Sequence, residues 1–480
     1  MRRLRFLGAF VVVAYVLAQF ISFRASLGRI PSTWTVAGEP FHDQTIDEVT
    51  ARIENAFDQP VILHYRDDVR ALPPTDVDFE FDLEATAAAF RRERDQVATA
   101  GNFVRHLLLQ KPEARDLPIV AAYSEDKIRL KLSEMALAFD RPAQPPQPNL
   151  ETMTLAPGQP GYVLDIAGSV EPVADALTSL RQRDAVLIVK NDPAPAASID
   201  QLRVLIQERV KTFNGNASVF VKDLGSGGEI LISTDIAYSG MSLMKIPIMV
   251  EVFRKLDQPP DPETTRLLTE TLGSESGNFT ANLLLRQIGD GDSFVGVQTL
   301  SASMRFLGLN NTFMATPYDQ DDIPPPGVLT EANSRTDVWA NPDPYMQTTP
   351  NDIGLLLEMV YQCSEGGGTL MVAYPGRFTM DECRTMLDIM KGNVITDAEG
   401  IPTLLRGGLP DGTPFAHKHG WDYDTRADAS IAFTPGGDFV LVVFLNTPQV
   451  WVEWDVANSI MVDAARAAYN YFNPPLNAGQ

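Results

Sequence analysis

Two stretches of the chain set a serine three residues before a lysine, the spacing that lets an amine activate a hydroxyl. In "YSGMSLMKIPIM", residues 238–249, Ser242 and Lys245 open an apolar run, so one helical turn brings both side chains to the same side. A desolvated ammonium there can lose its proton and act as a base, while a helix N-terminus steadies an anion forming nearby. The competing interpretation is an N-cap serine followed by a solvated lysine. In "YSEDKIRL", Ser124 and Lys127 repeat the spacing, but Glu125 and Asp126 would hold that lysine protonated.

Two further groups can serve a serine nucleophile. "SESGNFTANLLLRQIG" places Ser276 and Asn278 at the entrance of an apolar helix, where they can pass a proton and hold a carbonyl, or simply cap the helix. In "AHKHGWD", strand alternation points Lys418 away from His417 and His419, and Gly420 allows a substrate backbone to approach closely. The two histidines share a face and can bind a metal in principle, but no further His or Cys clusters with them. Neither a metal nor a cofactor is expected.

In this order the three groups resemble the class A β-lactamase and penicillin-binding family, whose signature is S-x-x-K, S-D-N and K-T-G. The resemblance covers roughly residues 200–473 and implies a serine acyl-enzyme hydrolase acting on a β-lactam or a D-alanyl peptide of peptidoglycan. It implies Ser242 as the acylated nucleophile, Lys245 as its base or proton relay, and Ser276 as the relay to the leaving nitrogen. Lys418 would hold Ser276 and the substrate carboxylate electrostatically. Asn278, His419, Gly420 and Trp421 would be substrate-binding, with the backbone N–H groups of Ser242 and Trp421 forming an oxyanion hole.

The sequence departs from the pattern in ways that matter. Gly277 replaces the family Asp and His419 the family Thr, and only 34 residues separate Ser242 from Ser276. The stretch "YDQDDIPPPGVLTEANSRTDVWANPDPYM" lacks the Glu-x-x-x-Asn spacing of the family's deacylating base. Glu331, with Asn333 two residues on, is the nearest candidate; the competing interpretation is a solvated loop acid. The expectation is an acyl-enzyme that forms readily and is released slowly. A penicillin-binding or wall-binding module with little or no turnover is the alternative.

The elements that must position these residues follow from periodicity. After the linker "NDPAPAAS", residues 191–198, a helical run leads into two strands joined by a Gly-rich turn, and strands return near the C-terminus before a last helix. Strands from both ends must share one antiparallel sheet flanked by those helices, with a helical subdomain inserted: an α+β fold for residues 200–473. Cys363 and Cys383 lie at the ends of two helices joined by a Gly-rich turn, and a disulfide is expected.

Before the linker, residues 45–65 run from an amphipathic helix into an apolar strand, and the pattern recurs 124 residues later. This predicts a pseudo-repeated α+β domain over residues 30–190. It resembles the peptidoglycan-binding-type domain of VanW-like proteins, which implies wall association; a simple spacer is the alternative. Residues 1–25 carry Arg2, Arg3 and Arg5 before an apolar stretch from Phe6 to Phe23, so a single-pass membrane helix is expected, or else a cleaved signal segment. Either places the enzyme domain outside the cytoplasm. With 62 acids against 39 bases the net charge is −23, which excludes nucleic acid as a partner. The oligomeric state is open.

Overall fold

The computed structural model describes residues 2–256, 258–320, 324 and 327–474, with side chains from residue 10 onward. Asp321 and Asp322 of the acid-rich stretch lie outside the described residues. The chain divides into two compact units, Met1–Gln144 with Gln159–Pro195, and Pro145–Gly158 with Ala196–Gln480.

The first unit opens with helix α1 (Arg2–Ser26). Among the described residues no helix is long and apolar enough to cross a membrane, which overturns the expected single-pass membrane helix and the localisation built on it. Tyr15, Phe20 and Phe23 of that stretch meet protein instead. The rings of Phe20 and Phe23 lie 5.5 and 5.6 Å from that of Phe103, and the Tyr15 hydroxyl donates to the Leu107 carbonyl at 3.3 Å.

Helix α2 (Ile46–Phe57) starts at a capping box on Thr45 and buries Ile46, Val49, Ile53 and Phe57. It leads into strand β1 (Val61–Tyr65), which alternates buried and half-buried residues. The second helix-strand unit is α3 (Ile166–Thr178) and β2 (Asp184–Val186), and β2 pairs in parallel with β1. The strand that closes the recurring pattern is divided in the structure. Its second part, β3 (Val189–Asp192), leaves β1 and pairs with Gly161–Leu164.

The second unit is built on a five-stranded antiparallel sheet in the order β5-β4-β8-β7-β6, with β4 (Asn216–Asp223), β5 (Glu229–Ile232), β6 (Phe415–Trp421), β7 (Thr425–Ala432) and β8 (Phe439–Asn446). The central strand β8 is apolar from Phe439 to Leu445 because both of its faces are covered. Val219, Val221, Leu441 and Val443 pack with α4 (Ile199–Val210) and the C-terminal helix Trp454–Phe472. Phe220, Val440, Val442 and Phe444 point the other way, towards the helical subdomain. Fully burying each such side chain contributes about 1.5–3 kcal/mol. This is the antiparallel sheet with helices on its faces that the sequence predicts for residues 200–473.

The strands Gln147–Asn149 and Thr154–Ala156 form a hairpin that belongs to this second unit. Met153 at its turn is buried, and its carbonyl accepts from Asn470 Nδ2 at 2.9 Å.

Cys363 and Cys383 are bridged, with Cα atoms 5.8 Å apart and a separation of 20 positions in sequence. Loop-closure entropy for a ring of that size stabilises by about 3 kcal/mol. The Cys363→Ala/Cys383→Ala double variant is expected to lose about that much unfolding free energy in guanidinium titrations. An unchanged midpoint would show that the bridge adds nothing.

Candidate active site

Ser124 and Ser242 have different structural fates. Ser124 is an N-cap whose Oγ accepts from Lys127 N at 3.3 Å, and Lys127 pairs with Asp78 at 2.6 Å on the surface. Ser242 caps nothing. It sits in the 3₁₀ turn Met241–Met244, which runs directly into helix α5 (Lys245–Lys255).

That turn is held from both sides. Met241 has φ of 49°, a left-handed conformation that costs of order 1–3 kcal/mol for a residue of its type. The buried Tyr318 hydroxyl secures it by donating to the Met241 carbonyl at 2.8 Å. Gly240 N donates to Met346 O at 2.9 Å. This contact extends the pairing of Tyr238–Ser239 with Met346–Thr348.

Lys245 is fully buried and its Nζ is the centre of the site. It lies 3.0 Å from Ser242 Oγ, 3.0 Å from Ser276 Oγ, 2.6 Å from Ser276 O and 2.9 Å from Asn278 Oδ1. Ser276 Oγ is 2.9 Å from Ser242 Oγ, so the two hydroxyls and the amine form a closed triangle. Ser276, like Met241, has a left-handed φ, here 47°. The helix behind it, α6 (Asn278–Ile288), has Gly277 as its N-cap, so neither Ser276 nor Asn278 performs the capping role that their types allow.

Burial pushes the Lys245 amine down to about 8, opposed by the charge of Asp319. Burial also takes Lys418 down to about 7; the charge of Lys245 adds to this and Asp428 opposes it. A lysine near neutrality divides its time between proton donor and proton acceptor. The arrangement can therefore move the Ser242 proton to Lys245 directly, or through Ser276.

Lys418 projects from β6 on the face shared with Ala416 and Gly420, as alternation requires, and its Nζ donates to His419 O at 3.1 Å. His417 lies on the opposite face, between Asp428 Oδ1 at 2.9 Å and the Asn393 carbonyl at 3.0 Å, so both ring nitrogens already have partners. His419 shares that face, with Nδ1 3.4 Å from Asn393 Nδ2. Burial, then the charges of Lys418, His417 and Lys245, push His419 down to about 2, which leaves it neutral.

β6 is an edge strand, and its register decides which groups face the cleft. Asp422 N donates to Thr425 O at 2.9 Å, so the alternating antiparallel pattern turns the Trp421 N–H off the free edge. Ser242 N–H belongs to the first turn of a helix and has no intrahelical acceptor. Gly420 lets the two approach: a Cβ there would lie 3.2 Å from Ser242 N and 3.1 Å from Met241 Cβ.

The cleft has a volume of about 440 Å³, and Ser242, Asn278 and Trp421 line it together with Tyr318, Asp319, Asp343, Tyr345 and Asp422. Asp319 accepts from Asn278 Nδ2 at 3.2 Å. Glu331 does not line this cleft; it is exposed, while Asn333 is turned inward to donate to Gln347 Oε1 at 2.9 Å. Sequence reasoning missed Tyr318, Asp319 and Asp343. Each lies in a loop without periodicity, and the only local signal was the acid between two prolines in "NPDPY".

Residues 201–260 and 263–472, more than half of the chain, match the family model described as the beta-lactamase enzyme family. The chain belongs to that family and is a serine hydrolase. Among solved structures it is similar to a beta-lactamase from Xanthomonas campestris pv. campestris, at 20% identity over 57% of this chain and 97% of that one, with a TM-score of 0.41. It is also similar to PBP-A in an acyl-enzyme complex with penicillin G, at 19% identity over 58% of this chain and 99% of that one, with a TM-score of 0.43. A beta-lactamase from Desulfarculus baarsii aligns at 17% identity over 58% of this chain and 100% of that one, again at 0.43. No curated protein matches the sequence.

Both buried lysines have folded pKa values below their ordinary 10.5, so the unfolded chain binds more protons between about 7 and 10.5. Stability therefore rises with pH across that window and is lost as pH falls through the folded values. Lys418→Met removes one of these groups. Urea unfolding at pH 6.5 and pH 10 is expected to show a smaller gain for the variant than for the parent; equal gains would mean that Lys418 is not desolvated.

Proposed function

We propose that the second unit is an acyl-enzyme hydrolase in which Ser242 attacks the carbonyl of a β-lactam or of a D-alanyl peptide. The convergence of Ser242, Ser276 and Asn278 on one buried amine is the observation that carries this reading. Lys245 takes the Ser242 proton as the C–O bond forms, and the oxyanion lies against the N–H groups of Ser242 and Trp421. Ser276 passes a proton to the leaving nitrogen as the C–N bond breaks. Lys418 supplies positive charge beside Ser276 and the substrate carboxylate, while Asn278 holds the substrate amide.

The Cys363–Cys383 disulfide is a bond that an oxidising compartment favours. For the first unit, wall association rests on the resemblance to VanW-like domains. Sedimentation of the full chain with insoluble peptidoglycan tests it, and a chain that stays in the supernatant removes the assignment.

Ser242→Ala is expected to abolish the covalent adduct with a labelled penicillin, and Ser124→Ala to leave it intact. Lys245→Met is expected to slow acylation by about 10²- to 10⁴-fold, the usual contribution of a positioned base. Equal labelling of the two serine variants would remove Ser242 as the nucleophile.

A further inference from the structure

Hydrolysis of an acyl-enzyme needs a base that aims water at the ester, and Glu331 is not placed for it. Three carboxylates among the described residues line the cleft beside Ser242: Asp319, Asp343 and Asp422. Asp319 is engaged with Asn278 Nδ2 and lies close enough to Lys245 to act on its charge. Asp422 is exposed, and its carboxylate accepts from Tyr423 N at 2.6 Å.

Asp343 differs from both. Its backbone is fastened to the segment that carries the nucleophile, with Asp343 N donating to Ser239 Oγ at 2.9 Å three residues before Ser242. Its carbonyl accepts from Gln347 Nε2 at 2.8 Å, and Gln347 pairs with Ser239 across the small sheet. One carboxylate oxygen, Oδ1, is fixed by Tyr345 N at 2.7 Å. The side chain is thus oriented by its own loop and stands half-buried in the cleft wall.

We propose that Asp343 is the base that activates water against the Ser242 ester. The proposal rests on the acyl-enzyme reading above. Water adds to the ester carbon and gives its proton to the Asp343 carboxylate, forming a tetrahedral oxyanion. Collapse breaks the bond to Ser242 Oγ, which regains a proton from Lys245 or Ser276, and the product leaves as a carboxylic acid. The Asp343 proton returns to solvent or to that relay, so the cycle consumes one water. Burial raises the Asp343 carboxyl above its usual range; Tyr345 N–H opposes this and the charge of Asp422 reinforces it. A carboxylate moved towards working pH is a better proton acceptor.

Intact-mass kinetics on the full chain after one addition of benzylpenicillin test the assignment. Asp343→Asn keeps an acceptor for Tyr345 N, so its acylation is expected to stay within threefold of the parent, with release slowed by about 10²- to 10⁴-fold. Asp343→Glu is expected to restore much of the release, and hydroxylamine, a stronger nucleophile than water, to discharge the Asp343→Asn adduct. Release from Asp343→Asn within threefold of the parent would overturn the proposal. A fall in acylation that matches the fall in release would also overturn it, because that is the mark of a residue that only shapes the cleft. A parent that neither forms an adduct nor consumes penicillin overturns the acyl-enzyme reading itself, and this is distinguishable because the parent is then silent before any variant is made.

Discussion

The site depends on the burial of one amine. Lys245 has no exposure to solvent, and an ammonium in such a place is costly unless its donors are satisfied or its proton is lost. The fold meets this with three neighbouring side chains and a carbonyl that converge on Nζ from two helix entrances. The same burial that makes the amine expensive makes it reactive, since desolvation is the first cause of its lowered pKa. Lys418 on the neighbouring strand is lowered in turn by burial and then by the charge of Lys245, because two buried cations in one site cannot both remain protonated cheaply.

Backbone strain is the second part of the arrangement. Met241 and Ser276 both adopt left-handed φ, one just before Ser242 and the other at the hydroxyl that bridges Ser242 and Lys245. Such conformations persist only where the surroundings over-determine them. Tyr318 and the Gly240–Met346 hydrogen bond do so for the first. For the second, Ser276 N donates to Gly273 O and Gly277 N to Glu270 O, which fixes the turn ahead of α6.

The sheet supplies the remaining element. An edge strand presents unpaired N–H groups, a liability in most proteins. Here the edge of β6 lies against the turn that carries Ser242, and Gly420 removes the side chain that would hold them apart. The free edge thereby becomes one wall of the cleft, with a donor already aimed into it.

Much of this was determined by the sequence alone. Alternation placed Lys418 opposite the histidines, 3.6-residue periodicity marked the helices, and the Ser-x-x-Lys, Ser-x-Asn and Lys-His-Gly order pointed to the active site of a serine hydrolase. These signals are local, since each depends on residues that are neighbours along one element. Only the tertiary structure decided which Ser-x-x-Lys is buried, because desolvation arises from elements distant in sequence that pack around the same amine. For the same reason it overruled the N-terminal stretch, whose length suggested a membrane while Phe20 and Phe23 pack on the ring of Phe103. It also left Glu331 outside the cleft and set Asp343 in its lining: a loop acid carries no periodic signal, and the pairing of Gln347 with Ser239 ties that loop to the strand ahead of Ser242.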